Sequence, residues 1–147
     1  MKKTIILNIV LLGIFVNNYA DALCVNVQKA NIRSGPGTQY VIVWEVYKYM
    51  PFDKVGTSIT GNWFAVRDVD GDVNWIHKSL VTNRYRCAVV KTEGVNLRTG
   101  PGTKYLKIGV VKKYYSFKIL QRRGMWVRLK DEWGSIGWIH RSYLWIK

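Results

Sequence analysis

Apolar residues in this chain gather in short runs of strand length, set apart by turn residues, with no long helical period. Val41-Ile42-Val43-Trp44-Glu45-Val46-Tyr47 is β-branched and aromatic almost throughout, and Tyr105 to Val111 is partly so. Both runs predict strands. Gly35-Pro36-Gly37 and Asp70-Gly71-Asp72 are turn signals between such runs. Asp70-Gly71 suits a tight hairpin that joins a strand at Trp63 to one at Trp75.

The pattern occurs twice. Asn31-Ile32-Arg33-Ser34-Gly35-Pro36-Gly37-Thr38-Gln39-Tyr40 returns as Asn96-Leu97-Arg98-Thr99-Gly100-Pro101-Gly102-Thr103-Lys104-Tyr105, an offset of 65 from position 31 to 96. Trp63-Phe64-Ala65-Val66-Arg67-Asp68 is matched by Trp126-Val127-Arg128-Leu129-Lys130-Asp131, and Trp75-Ile76-His77-Lys78-Ser79-Leu80 by Trp138-Ile139-His140-Arg141-Ser142-Tyr143. These two blocks have an offset of 63, so the second copy is shorter by two residues in between. Three matched blocks in one order imply a duplicated unit. Each copy reads as five or so short strands closed into a small barrel, and the chain as all-β.

At this level of detail the residues resemble a known family. Asn-Ile/Leu-Arg-x-Gly-Pro-Gly-Thr-x-Tyr, then Trp-x-x-Val/Leu, then Trp-Ile-His-x-Ser-Leu/Tyr is similar to the bacterial SH3 domain (SH3b). The resemblance implies two tandem SH3-like small β-barrels and binding at the cell envelope, where such modules accompany peptidoglycan hydrolases. No catalytic domain accompanies them in this chain. The acidic, aromatic-rich loop with which eukaryotic SH3 domains read polyproline is missing too, so proline-rich ligands are not implied.

The first stretch reads as a signal peptide. Lys2 and Lys3 precede a mostly apolar run from Ile5 to Val16, and a small-x-small site follows at Ala20-Asp21-Ala22. The run is too short to span a bilayer comfortably. Cleavage is expected after Ala22, and export to the periplasm or the medium follows. A retained anchor and a lipoprotein at Cys24 are the alternatives, the latter opposed by the bulk of Leu23 just before it. No other segment is apolar enough to cross a membrane. The expected organisation is a signal peptide over 1–22, a first barrel over 23–82, a linker over 83–86 and a second barrel over 87–147.

Charge and cysteines then narrow the partners. The mature part, 125 residues from position 23, holds 21 basic and 8 acidic residues, a net charge of +13. Such an excess favours anionic partners. Export makes nucleic acid an unsuitable one and points to the cell wall or another anionic envelope polymer, with an envelope protein, gripped by exposed aromatics and the interdomain groove of an interaction scaffold, as the rival. Two cysteines permit one intramolecular disulfide, Cys24 with Cys87; free or intermolecular thiols are the alternative. In an SH3-type barrel the first and last strands lie close, so this bridge is expected to close the first domain.

No catalytic constellation emerges. A thiol with His77 or His140 needs a free cysteine, and the two histidines hold the same place in each copy, which suits capping or a carbonyl bond better than catalysis. Two histidines without paired carboxylates do not suggest a metal. Asp68, Asp70 and Asp72 lack the closing glutamate of a calcium loop. No enzyme, metal or cofactor is therefore expected. The candidate binding residues are Arg33, Tyr40, Arg98 and Tyr105, as groove walls, and Trp133, Arg122 and Arg123, as an exposed ring and cations for sugars or carboxylates. Trp63, Trp75, Trp126 and Trp138 recur and are expected mostly in the cores. Trp44, Trp133 and Trp145 do not recur and are expected at the surface or between the domains.

Overall fold

The computed structural model describes residues 21–147. The expected signal peptide lies outside the described residues, apart from Asp21 and Ala22, which already belong to the first strand. The first copy contains β1 (Asp21–Val25), β2 (Lys29–Arg33), β3 (Ile42–Tyr47), β4 (Pro51–Thr57), β5 (Trp63–Arg67), β6 (Val73–His77) and β7 (Val81–Thr82). The second contains β8 (Cys87–Val90), β9 (Val95–Arg98), β10 (Lys107–Val111), β11 (Ser116–Arg123), β12 (Trp126–Lys130), β13 (Ile136–His140) and β14 (Leu144–Ile146). Each forms a seven-stranded antiparallel sheet, in the orders β3-β2-β6-β5-β4-β1-β7 and β10-β9-β13-β12-β11-β8-β14. The strands beyond the expected five include β7 and β14, two and three residues long, too short to leave a pattern in the sequence. Among the described residues no helix is long and apolar enough to cross a membrane.

A bulge falls at the same place in both copies, between Lys54 and Gly56 and between Ile119 and Gln121. Bulges bend a strand and raise its twist, which lets these short sheets curl over a core. Alternation then selects what is buried: in β12, Val127 and Leu129 point inward and Trp126, Arg128 and Lys130 do not. One phenylalanine, Phe52 or Phe117, sits among aliphatic side chains in each core. The tryptophans depart from expectation, because Trp138 is buried while Trp63, Trp75 and Trp126 are only half-buried. A barrel this small has little interior volume, and the phenylalanine and its aliphatic neighbours occupy it.

Strand β8 is buried at all four positions. Ala88 and Val90 enter the core of their own barrel, whereas Val89 belongs to the core cluster of the first barrel. Cys87 shares the outward face of Val89, and β1 presents Cys24 in the same manner, between the inward-facing Leu23 and Val25. The cysteines are bonded to each other, as the pairing predicts. What the bridge fastens differs from expectation: it ties the first strand of one barrel to the first strand of the other. The reason is that Cys87 faces away from its own core.

Polar contacts reinforce this junction. The Tyr85 hydroxyl donates to Asn26 Oδ1 at 2.7 Å, the Ser116 hydroxyl to the Lys48 carbonyl at 2.8 Å, and Lys147 Nζ lies 3.0 Å from the mostly buried Asp53 carboxylate. Tyr49 and Tyr114, equivalent in the repeat, adopt left-handed backbone at φ 71° and 70°. That conformation costs an L residue about 1–2 kcal/mol. It turns both rings toward the junction. Tyr49 packs with Cys24, Cys87 and Tyr85, while Tyr114 meets Trp44 edge-on at 5.4 Å and donates to Asp70 at 2.6 Å.

Candidate binding grooves

A groove of about 510 Å³ opens along the junction. Trp44 and Tyr47 line it from the first barrel, and Tyr114, Tyr115 and Trp133 from the second. Trp133 is 71% exposed and stands on the turn between β12 and β13. Buried Asp131 builds that turn by accepting the Trp133 and Ser135 N–H groups at 3.0 and 2.8 Å, with Gly134 at φ 94°. Asp68 builds the matching turn in the first copy, accepting from Asp70 and Asp72 at 2.9 and 3.0 Å with Gly71 at φ 91°. The expected hairpin is thus present, wound around a buried carboxylate. Its apex residue is Asp70 in one copy and Trp133 in the other. Asp70 bonds across the junction, whereas Trp133 leaves its ring open to the groove.

The charges in the groove are mixed. Lys29 pairs with Glu45 at 2.8 Å, and that hydrogen bond lowers the Glu45 carboxyl. Burial pushes the Glu132 carboxyl up, and the neighbouring Asp131 charge adds to it. Burial also raises the Tyr115 phenol, with the Asp131 charge next, to about 12. Its folded value lies above its unfolded one near 10, so the stabilisation is complete below pH ~10 and is lost as pH rises toward 12. A spectrophotometric titration should find a phenol that ionises near pH 12, well after an ordinary tyrosine. Removal of that late step by Tyr115→Phe checks the assignment.

Two smaller grooves, one per barrel, are copies of each other. Asn31, Arg33, Thr38, Trp63 and His77 line a recess of about 400 Å³, and Asn96, Arg98, Thr103, Trp126 and His140 line one of about 290 Å³. His77 packs edge-on to Trp63 at 5.2 Å, and His140 to Trp126 at 5.3 Å. Each histidine caps the following 3-10 turn through Nδ1, which receives the N–H of Ser79 or Ser142 at 3.3 Å. The pair thus has the structural role expected of it, although each ring caps a 3-10 turn by accepting an N–H where capping of a strand or a bond to a carbonyl was expected.

The seven candidate binding residues fall in different places. Arg33 donates to the Thr38 and Tyr40 carbonyls at 3.0 and 2.8 Å, and Arg98 to those of Thr103 and Tyr105 at 3.1 and 3.0 Å. Both arginines staple the Gly-Pro-Gly loop and also line the barrel grooves. Tyr40 and Tyr105 do not line them; each ring lies so close over Gly35 or Gly100 that a Cβ there would collide with it. Trp133 lines the junction groove. The Arg123 guanidinium lies 6.0 Å from the Trp138 ring centre, and desolvation, then the charges of Arg86 and Arg141, lower the Arg122 pKa. The arginine pair belongs to none of the three grooves. Sequence reasoning missed Trp63 and His77 as groove residues, although their recurrence with Asn31 and Arg33 was the available signal. Both cysteines are consumed in the bridge, so neither offers a thiol nucleophile.

Two family models, each described as a bacterial SH3 domain, match residues 26–83 and 93–144. The chain belongs to the bacterial SH3 family, in two tandem copies. This tandem SH3 protein is 25% identical over 124 residues to YrvJ of Bacillus subtilis, provisionally named an N-acetylmuramoyl-L-alanine amidase. The match takes in 78% of the chain and 23% of the length of YrvJ. Among solved structures, an NlpC/P60 family protein from Bacillus cereus is similar at 11% identity and a TM-score of 0.38, over 86% of this chain and 56% of that one. The CBD of endolysin LysPBC5 is similar at 16% identity and a TM-score of 0.36, over 86% and 93%. The disulfide and the bacterial SH3 domains fit an envelope or extracellular location.

Proposed function

We propose that this tandem SH3 protein is a non-catalytic binding module of the bacterial cell envelope that seats a segment of peptidoglycan in the groove between its barrels. The observation that carries the reading is the groove itself. Five aromatic rings from two barrels converge on a cleft that neither barrel makes alone. Its volume is in the range of small-ligand sites, about 300–1,000 Å³. Flat rings stack on sugar faces and peptide backbone, while Lys113 and the carboxylates at the rim supply hydrogen bonds. The similarity to a provisionally named amidase of a cell-wall bond supports the same class of ligand. The net charge of +13 after residue 22 would speed encounter with an anionic polymer, though that part of the attraction is screened by salt.

Co-sedimentation with purified sacculi across a salt series tests this reading. The wild type should pellet at moderate salt. Trp133→Ala should weaken pelleting by about tenfold or more, as for an exposed aromatic anchor, with stability changed by no more than about 0.5 kcal/mol. Pelleting that vanishes with salt, or that ignores Trp133→Ala, would overturn the groove as the site. No pelleting at all would favour the rival reading, a protein partner anchored on Trp133.

A further inference from the structure

The two barrel grooves use the same residue types from equivalent positions, and their lining is rich in donors. Arg33 spends one nitrogen, Nη1, on the loop carbonyls, and among the described residues Nε and Nη2 have no acceptor; Arg98 does the same. His77 Nδ1 receives the Ser79 N–H at 3.3 Å and lies 2.7 Å from the Ser79 hydroxyl; in the neutral tautomer that accepts both, the proton sits on Nε2, and Ser142 and His140 repeat the arrangement. Among the described residues, neither Nε2–H nor the indole N–H of Trp63 or Trp126 has a hydrogen-bond acceptor. A recess of unspent donors around a guanidinium is complementary to a carboxylate, which only accepts.

The copies differ at their edges. The first groove holds Lys29 and Arg33 and no acid, while the second has Gly94 in place of Lys29 and is lined by Glu93 as well as Arg98. Lys29 is engaged by Glu45, so the larger contrast is Glu93, which repels an anion near Arg98.

We infer that each barrel groove is a binding site for a peptide carboxylate, and that the first-barrel site is the stronger of the two. This rests on the peptidoglycan reading, since it assigns the peptide carboxylates of that polymer to sites other than the junction groove. Two sites linked through the disulfide-tied junction would raise avidity on a polymer that repeats the carboxylate.

The test is a titration of the whole protein, ¹⁵N-labelled at tryptophan, with N-acetyl-D-alanyl-D-alanine and with its C-terminal amide. Indole resonances report on Trp63, Trp126 and Trp133 separately. The acid should shift Trp63 with a Kd about three- to fivefold below that for Trp126, the scale of one nearby surface charge. The amide should leave both unmoved. Glu93→Gln should narrow the gap. Asn31→Ala should weaken the first site, and Asn96→Ala the second. Among the described residues neither asparagine side chain bonds the fold, so these variants remain folded where His77→Ala would lose a cap. Equal response to acid and amide, or no shift at Trp63 and Trp126, overturns the inference. A shift of Trp133 alone would overturn it while leaving the junction-groove reading intact.

Discussion

Replacing both cysteines, Cys24→Ala with Cys87→Ala, is expected to lower the unfolding free energy by about 4 kcal/mol. The residues lie 63 apart in sequence, and closing a loop of that length removes about that much chain entropy from the unfolded state. The bridge also acts at a strategic place. It joins outward faces of β1 and β8, the two strands whose opposite faces enter separate cores. Loss of the bond therefore weakens the tie between barrels as well as the order of either one. Urea unfolding of the oxidised wild type should show one transition. The double variant, or the wild type in reductant, should unfold at a midpoint lower by about 2 M for an m-value near 2 kcal/mol/M. A shift equivalent to less than 1 kcal/mol would mean that the bridge restricts the unfolded chain little and that packing, through Val89 and the Tyr49 turn, holds the junction without it.

The barrels themselves were legible because their causes are local. Alternation marks β12, Gly134 and Gly71 mark turns that need positive φ, and the repeat lets each copy confirm the other. Recurrence misled the reading of the tryptophans, since a position repeats equally well because it fills a core or because it lines a groove. Trp63 and Trp126 repeat for the second reason. The junction groove was less visible still. Its walls come from parts of the chain far apart, and its geometry depends on Tyr114 taking a backbone conformation that tyrosine rarely adopts. One signal lay in the sequence: Cys87-Ala88-Val89-Val90 is apolar on both faces. A strand with one core behind it needs only every second residue to be apolar, so the other two implied a second body against it.

That two-sided strand gives the sharpest test of the junction. Val89 is fully buried, on the face of β8 that belongs to the first barrel's core cluster. Val89→Asp should cost at least about 3 kcal/mol at neutral pH, because a carboxylate there loses hydration without gaining a partner. Burial would raise its pKa above the unfolded value near 3.9. The folded variant would then hold its proton to higher pH than the unfolded chain does, so unfolding releases a proton and stability falls as pH rises past about 4. The deficit relative to wild type should be smallest near pH 3, where the buried carboxyl is neutral, and grow toward neutrality. Val110→Asp, at an exposed position of β10, should show no such trend. With the disulfide intact the barrels stay tethered, so the chief structural effect is a loosened junction in which Trp44 and Tyr114 no longer hold the groove's two walls together. Binding that depends on the groove should fall with the junction. Binding that survives Val89→Asp, in a protein whose stability shows the expected pH trend, would place the ligand on the separate barrels instead.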